Sequence, residues 1–117
     1  MNDLDKGTAA KLTIREWAQD DRPREKLLSK GARSLSDAEL LAILIRTGTV
    51  KENALDLARR LLRTVDADLA RLGRLDVREL MKVDGIKLAK AVSIAAALEL
   101  GRRRKDTPAE DRPHIRS

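Results

Sequence analysis

Val83-Asp84-Gly85-Ile86-Lys87-Leu88-Ala89-Lys90-Ala91-Val92-Ser93-Ile94-Ala95-Ala96-Ala97-Leu98-Glu99-Leu100-Gly101 is the stretch that decides the fold. A short helical pattern, Asp76-Val77-Arg78-Glu79-Leu80-Met81-Lys82, runs into a tight turn at Asp84-Gly85-Ile86. An alanine-rich helix leaves that turn. Gly85 is the pivot, because only glycine takes a positive φ without steric cost. The new helix opens with N–H groups that have no intrahelical partner, and these can receive an anion such as a phosphate. Leu88, Ala91, Ile94, Ala95 and Leu98 recur at helical spacing and are expected to form one buried stripe. Lys87 and Lys90 lie on a different face. Two cations in a first turn oppose the helix dipole, which is easier to explain if an anion binds there.

This stretch resembles a helix-hairpin-helix motif, a module that grips DNA backbone without reading bases. The usual hairpin of that motif is Gly-hydrophobic-Gly. Gly85 and Ile86 match its first two positions, and Lys87 stands where the second glycine is expected. The plain alternative is a helical hairpin that only packs two helices together.

Composition narrows the architecture. The 117 residues suit one domain with loose ends. Trp17 is the only aromatic residue, so alanine and leucine must fill the interior, which favours close-packed helices over a sheet. No alternating apolar run reads as a strand. The net charge of +6 suits an anionic partner, although many proteins share such an excess. Cysteine is absent, which excludes disulfide and thiol chemistry. No apolar run approaches membrane-spanning length and no signal-peptide core opens the chain, so a cytoplasmic location without membrane contact is the default expectation.

Taken in order, residues 1–13 are polar and read as a disordered arm. Trp17 could stack on a base, but a lone tryptophan beside Ile14 fits a core anchor better. Asp20-Asp21-Arg22-Pro23 has the form of a helix start, with Leu27 and Leu28 turned inward and a stop at Gly31. Ser36-Asp37-Ala38-Glu39 is a capping box. It opens a helix whose buried side is Leu40, Leu41, Leu44 and Ile45, ended by Thr47-Gly48-Thr49. A third helix begins near Asn53, with Ala54, Leu57, Ala58, Leu61, Leu62 and Val65 on one side. Arg59, Arg60 and Arg63 occupy its outer side, with Asp56 placed to pair with Arg60. Asp66 to Gly73 reads as a short helical turn around Leu69 and Leu72, and a second capping box, Asp76 to Glu79, leads into the hairpin. A faint echo of the hairpin lies in Leu27-Leu28-Ser29-Lys30-Gly31 and the capped helix after it. The expected fold is all-α: a small bundle of about five helices, near 22–30, 36–46, 53–65, 76–82 and 87–104. Residues 106–117 read as a tail or linker.

Several segments together resemble the N-terminal domain of the RadC family of bacterial proteins. They are Ile14 to Trp17, Asp20 to Leu28, Leu35 to Leu44, Arg46-Thr47-Gly48-Thr49, and Gly85-Ile86 with Ala89-Lys90-Ala91. The resemblance runs over roughly residues 14 to 104. It implies a helical domain, 14–105, with a helix-hairpin-helix-like segment. In that family the domain precedes a metalloprotease-like domain of the JAMM type, whose zinc is held by a His-x-His motif and an aspartate. The family was named for DNA repair.

Catalysis by this chain is not expected. A zinc site needs three or four convergent ligands, and the one histidine, His114, has no partner at ligand spacing. No Ser/His/Asp or Cys/His set can be assembled. The carboxylates at Asp37, Glu39, Asp76 and Glu79 are explained by capping, and no glycine-rich nucleotide loop appears. No cofactor is implied. Two readings remain. In the first, the chain binds DNA without sequence preference, through the backbone around Gly85, Ile86 and Leu88 with Lys87 and Lys90, aided by Arg102, Arg103, Arg104 and Lys105 and by Arg59 and Arg63. In the second, it is an interaction or regulatory domain that positions the JAMM-type domain.

Overall fold

Capping residues write the boundaries of this structure. In the computed structural model, residues 14–108 are described, with side chains from Ala18 onward. The arm at 1–13, the Trp17 side chain and residues 109–117, with His114, lie outside the described residues. Six helices follow one another among the described residues: α1 (Ile14–Lys30), α2 (Asp37–Ile45), α3 (Ala54–Arg63), α4 (Leu69–Gly73), α5 (Val77–Leu80) and α6 (Leu88–Asp106). A 3-10 turn, Ala32–Ser34, joins α1 to α2. No strand occurs among the described residues, so the all-α expectation holds. The additional helix is α4, the segment read as a short turn around Leu69 and Leu72.

Both capping boxes form. Ser36 Oγ accepts from the Glu39 N–H at 3.1 Å, and Glu39 accepts from the Ser36 N–H at 2.8 Å. Asp76 and Glu79 exchange the same bonds at 2.8 and 2.9 Å. Asn53 caps α3 by accepting from the Asp56 N–H at 2.8 Å, and Asp68 caps α4 by accepting from Ala70 and Arg71. Each such cap stabilises its helix by about 1 kcal/mol. Gly31 ends α1 at φ 87, a left-handed conformation that a side chain resists.

The first helix departs from expectation. It begins by Ile14, not at residue 22, and Pro23 sits inside it. Asp20-Asp21-Arg22-Pro23, read as a helix start, therefore lies inside the helix. The Asp20 carboxylate accepts from the N–H groups of Gly48 and Ala54, so part of the apparent start signal serves another element. Pro23 removes one backbone bond from α1 but is itself buried.

The core is built on α3. Ala54, Leu57, Ala58 and Leu61 are fully buried, with Leu62 and Val65 nearly so, as their spacing predicts. α2 packs along α3, and α6 packs against α2, α4 and α5. Burying one leucine in this way is worth about 1.5–3 kcal/mol before entropy is counted. Three leucines assigned to the core lie outside it: Leu28 is 87% exposed, Leu88 59% and Leu40 38%. The burial line on α2 runs through Leu41, Ala42 and Ile45, which leaves Leu40 off its edge. On α6 it runs through Ala91 and Ile94, with Ala95 and Leu98 partly covered. At the start of α6 the core position is filled by Ile86, 1% exposed, instead of Leu88.

Candidate nucleic-acid interface

The hairpin turn takes the backbone shape that its glycine suggests. Gly85 has φ 94. A Cβ there would also lie 3.1 Å from both Leu57 Cδ1 and Thr49 Cγ2, so the turn is pressed against α3 and the loop before it. Ile86 is a correction to the proposed contact set. It is buried, and its N–H donates to the Val83 carbonyl at 3.0 Å, so it packs and offers no amide outward. Lys87 has φ −97 and ψ −175, extended backbone open to any residue. Its replacement of the motif's second glycine therefore introduces no strain.

Lys87 is also the N-cap of α6, and its side chain makes no capping bond. The first intrahelical bond runs from the Ala91 N–H to the Lys87 carbonyl at 2.9 Å. No group among the described residues accepts from the N–H groups of Leu88, Ala89 and Lys90. α2, α3, α4 and α5 each have a side chain closing this position. α6 starts open, with Lys87 and Leu88 exposed and Lys90 half-buried around it. Partial positive charge from the helix dipole collects at the same point.

Arg60 holds the turn from outside. Its Nε donates to Glu52 at 3.2 Å, and its Nη2 donates to the Asp84 carbonyl. The Glu52 hydrogen bond raises the Arg60 pKa above the ordinary guanidinium value, against the opposing effect of burial. Asp56, expected to pair with Arg60, instead accepts from Arg59 at 3.2 Å. Asp56 and Arg59 stand three positions apart on the helix, and Arg60 is held on the other side by Glu52.

The loop between α2 and α3 was invisible as a unit in the sequence. Asp20 reaches it from α1, accepting from the Gly48 N–H at 3.0 Å and the Ala54 N–H at 2.6 Å. Gln19 accepts from the Asn53 amide beside it at 2.8 Å. Gly48 has no room for a side chain, since a Cβ would sit 2.0 Å from the Glu52 carbonyl oxygen. Arg46 has φ 75 and ψ −59 in a γ-turn closed by the Thr47 N–H on the Ile45 carbonyl, a strained and uncommon conformation. So α3, unlike α6, has its N-terminus filled by the chain's own carboxylate.

Arg102, Arg103, Arg104 and Lys105 are all exposed at the far end of α6. The fifteen residues from Lys87 to Arg102 span about 22 Å of helix, so the hairpin and the basic run are separate. The run is also partly neutralised. Glu99 accepts from Arg102 at 2.8 Å and from Arg103 at 2.9 Å, and Asp106 accepts from Arg102 at 2.9 Å. The Arg102 bond, then the Arg103 bond, hold the Glu99 carboxyl down to about 2. Arg59 and Arg63 line a different shallow recess with Leu62, Asp66 and Ala67. Among the described residues, no group of three or more His, Cys, Asp or Glu side chains could hold a metal ion.

Comparison with known proteins supplies the family. Residues 14–92 match the family model described as UPF0758 N-terminal. A UPF0758 protein of Moorella thermoacetica is 55% identical over 92 residues, covering 79% of this chain and 40% of the relative. One from Flavobacterium johnsoniae is 52% identical over 94 residues, 80% and 41% of the two chains. One from Bacillus licheniformis is 50% identical over 105 residues, 90% and 46%. The chain thus spans less than half the length of the curated relatives it matches. No solved structure matches it. No helix of the described residues is long and apolar enough to cross a membrane. Match and resemblance agree, and this chain belongs to the UPF0758 family, the RadC-like family of proteins.

Proposed function

We propose that the chain is a non-catalytic module that binds DNA backbone without sequence preference. The observation that carries this reading is the open N-terminus of α6 between two lysines. A phosphate oxygen would take the place of the missing cap, accepting from the N–H groups of Leu88 and its neighbours. Gly85 lets the turn approach closely. Lys87 adds charge directly, and Lys90 does so from a half-buried position. Arg103, Arg104 and Lys105 would touch a second stretch of backbone about 22 Å away. Arg102 contributes least, because Glu99 and Asp106 already hold it. In this reading the module brings the rest of a full-length RadC-like protein to DNA, including the metalloprotease-like domain that the resemblance implies.

The test is Lys87→Glu with Lys90→Glu, titrated against single-stranded, duplex and branched DNA over a range of salt. Binding is expected to be lost while the helical circular dichroism is unchanged. Each lost phosphate contact lowers the magnitude of the log K against log salt slope by about 0.9 on duplex DNA. Equal binding by the wild type and the double variant would remove the hairpin as the site. Absence of salt-dependent binding by the wild type to every DNA form would favour the interaction-domain alternative.

A further inference from the structure

α6 is apolar on two sides. Ala91, Ile94, Ala95 and Leu98 serve the core. On the outer side, Leu88, Val92, Ala96 and Leu100 recur every fourth residue. Leu88 is 59% exposed, Val92 48% and Leu100 68%. Ala96 is exposed too, and Ala89 and Ser93 are exposed beside the band. A surface helix ordinarily presents charged residues on this side. Residues four apart advance by about 40° around the axis, so these form a slowly winding band about 18 Å long.

The same helix outruns its bundle. Residues 100–106 are all exposed, so its last turns project without tertiary cover. Ion pairs from Glu99 to Arg102 and Arg103, and from Arg102 to Asp106, hold this end together. A helical end with no packing partner is marginal in water.

We propose that the outer band of α6 seats the C-terminal half of the full-length UPF0758 protein. Three observations select this occupant. First, the relatives are more than twice as long as the matched region, and that region is the family's N-terminal part. The remaining chain therefore follows α6 and stays tethered beside the band. Second, the band is small. Its footprint of about 200 Å² falls well short of the roughly 800 Å² per partner that a free-standing interface buries. A tether removes that requirement by supplying an effective concentration of about a millimolar. Third, both ends of the band are basic, with Lys87 and Lys90 at one and Arg103, Arg104 and Lys105 at the other. A second copy would set cations against cations in either orientation. The band suits an apolar surface of the tethered half, which leaves the basic ends to the DNA backbone.

The test is amide hydrogen exchange on α6. The 117-residue chain is compared with a full-length chain made by continuing it with the C-terminal half of the Moorella thermoacetica relative. That relative, unaltered, is measured alongside. Exchange over residues 99–106 is expected to slow by about tenfold or more at full length, and its counterpart in the relative to be equally protected. Val92→Glu with Leu100→Glu should return exchange to that of the 117-residue chain. Both positions are exposed, so the fold is kept, and circular dichroism checks this. Equal exchange in the short and long chains would overturn the proposal, as would protection that survives the double variant. Concentration-dependent sedimentation of the 117-residue chain, abolished by the same variant, would give the band to a second copy instead.

Discussion

Asp20 offers the sharpest test of how this fold is held. Its side chain is buried, at 5% residue exposure. One oxygen accepts from Ala54, the first residue of α3, and the other from Gly48 in the loop before it. Asp20→Ala leaves both N–H groups without an acceptor. Ala54 is fully buried, so water cannot reach its amide in the native state. A hydrogen bond to a charged group contributes about 1.5–3 kcal/mol, so the loss should be about 3–5 kcal/mol. That is a large share of the roughly 5–14 kcal/mol available to a domain of about 95 residues. In urea the midpoint should fall by about 2–3 M while the slope stays the same. Asp20→Asn keeps the volume and one acceptor but turns a donor toward the second N–H, and should lose about half as much. Equilibrium urea unfolding followed by circular dichroism measures both. A loss below about 1 kcal/mol for Asp20→Ala would mean that other groups satisfy these amides, and the reasoning would fail.

Other positions give independent checks. Gly48→Ala should cost more than about 2 kcal/mol, because its Cβ would overlap the Glu52 carbonyl; thermal unfolding unchanged from wild type would contradict the loop geometry. Ala67 has φ 60, so Ala67→Gly should raise stability by about 0.5–1 kcal/mol, read as a higher urea midpoint. Glu99 is held down to about 2 by Arg102 and Arg103, so its stabilisation of the end of α6 is complete above the ordinary carboxylate pKa. It is lost as pH falls from that range through about 2, and a carbon-13 titration of Glu99 with an ordinary midpoint would disprove it.

Local signals carried most of the fold. The five apolar positions of α3, with Val65 just past its end, and the two capping boxes were legible because partner and period lie within a few residues. Gly85 was legible because the turn demands a left-handed residue. The misreadings share one physical origin, which is distance along the chain. Asp20-Asp21-Arg22-Pro23 looks like a helix start, and nothing nearby says that the Asp20 carboxylate serves Ala54, thirty-four residues on. Leu88 has the period of the core stripe, but period cannot tell where neighbouring helices stop covering it. Gly48 is needed for a clash with Glu52 that only the folded loop creates. At the candidate site, the open cap was readable as a lysine where Ser, Thr, Asp or Asn would close a helix. The pairing of Arg102 and Arg103 with Glu99 was also within reach, since three- and four-residue spacings on a helix signal it.

The Arg60 clasp sets an order of events in folding. The turn from Val83 to Ile86 is local and closes quickly. Its Asp84 carbonyl, however, is gripped from twenty-four residues earlier, by a side chain that Glu52 also holds. Closing that longer loop carries an entropy cost that is recovered only after α3 has docked. The hairpin should therefore acquire its final shape on the native side of the main barrier. Arg60→Met would then speed unfolding and leave the folding rate nearly unchanged, with a φ-value near zero. A φ-value near one would instead make the clasp part of the folding nucleus.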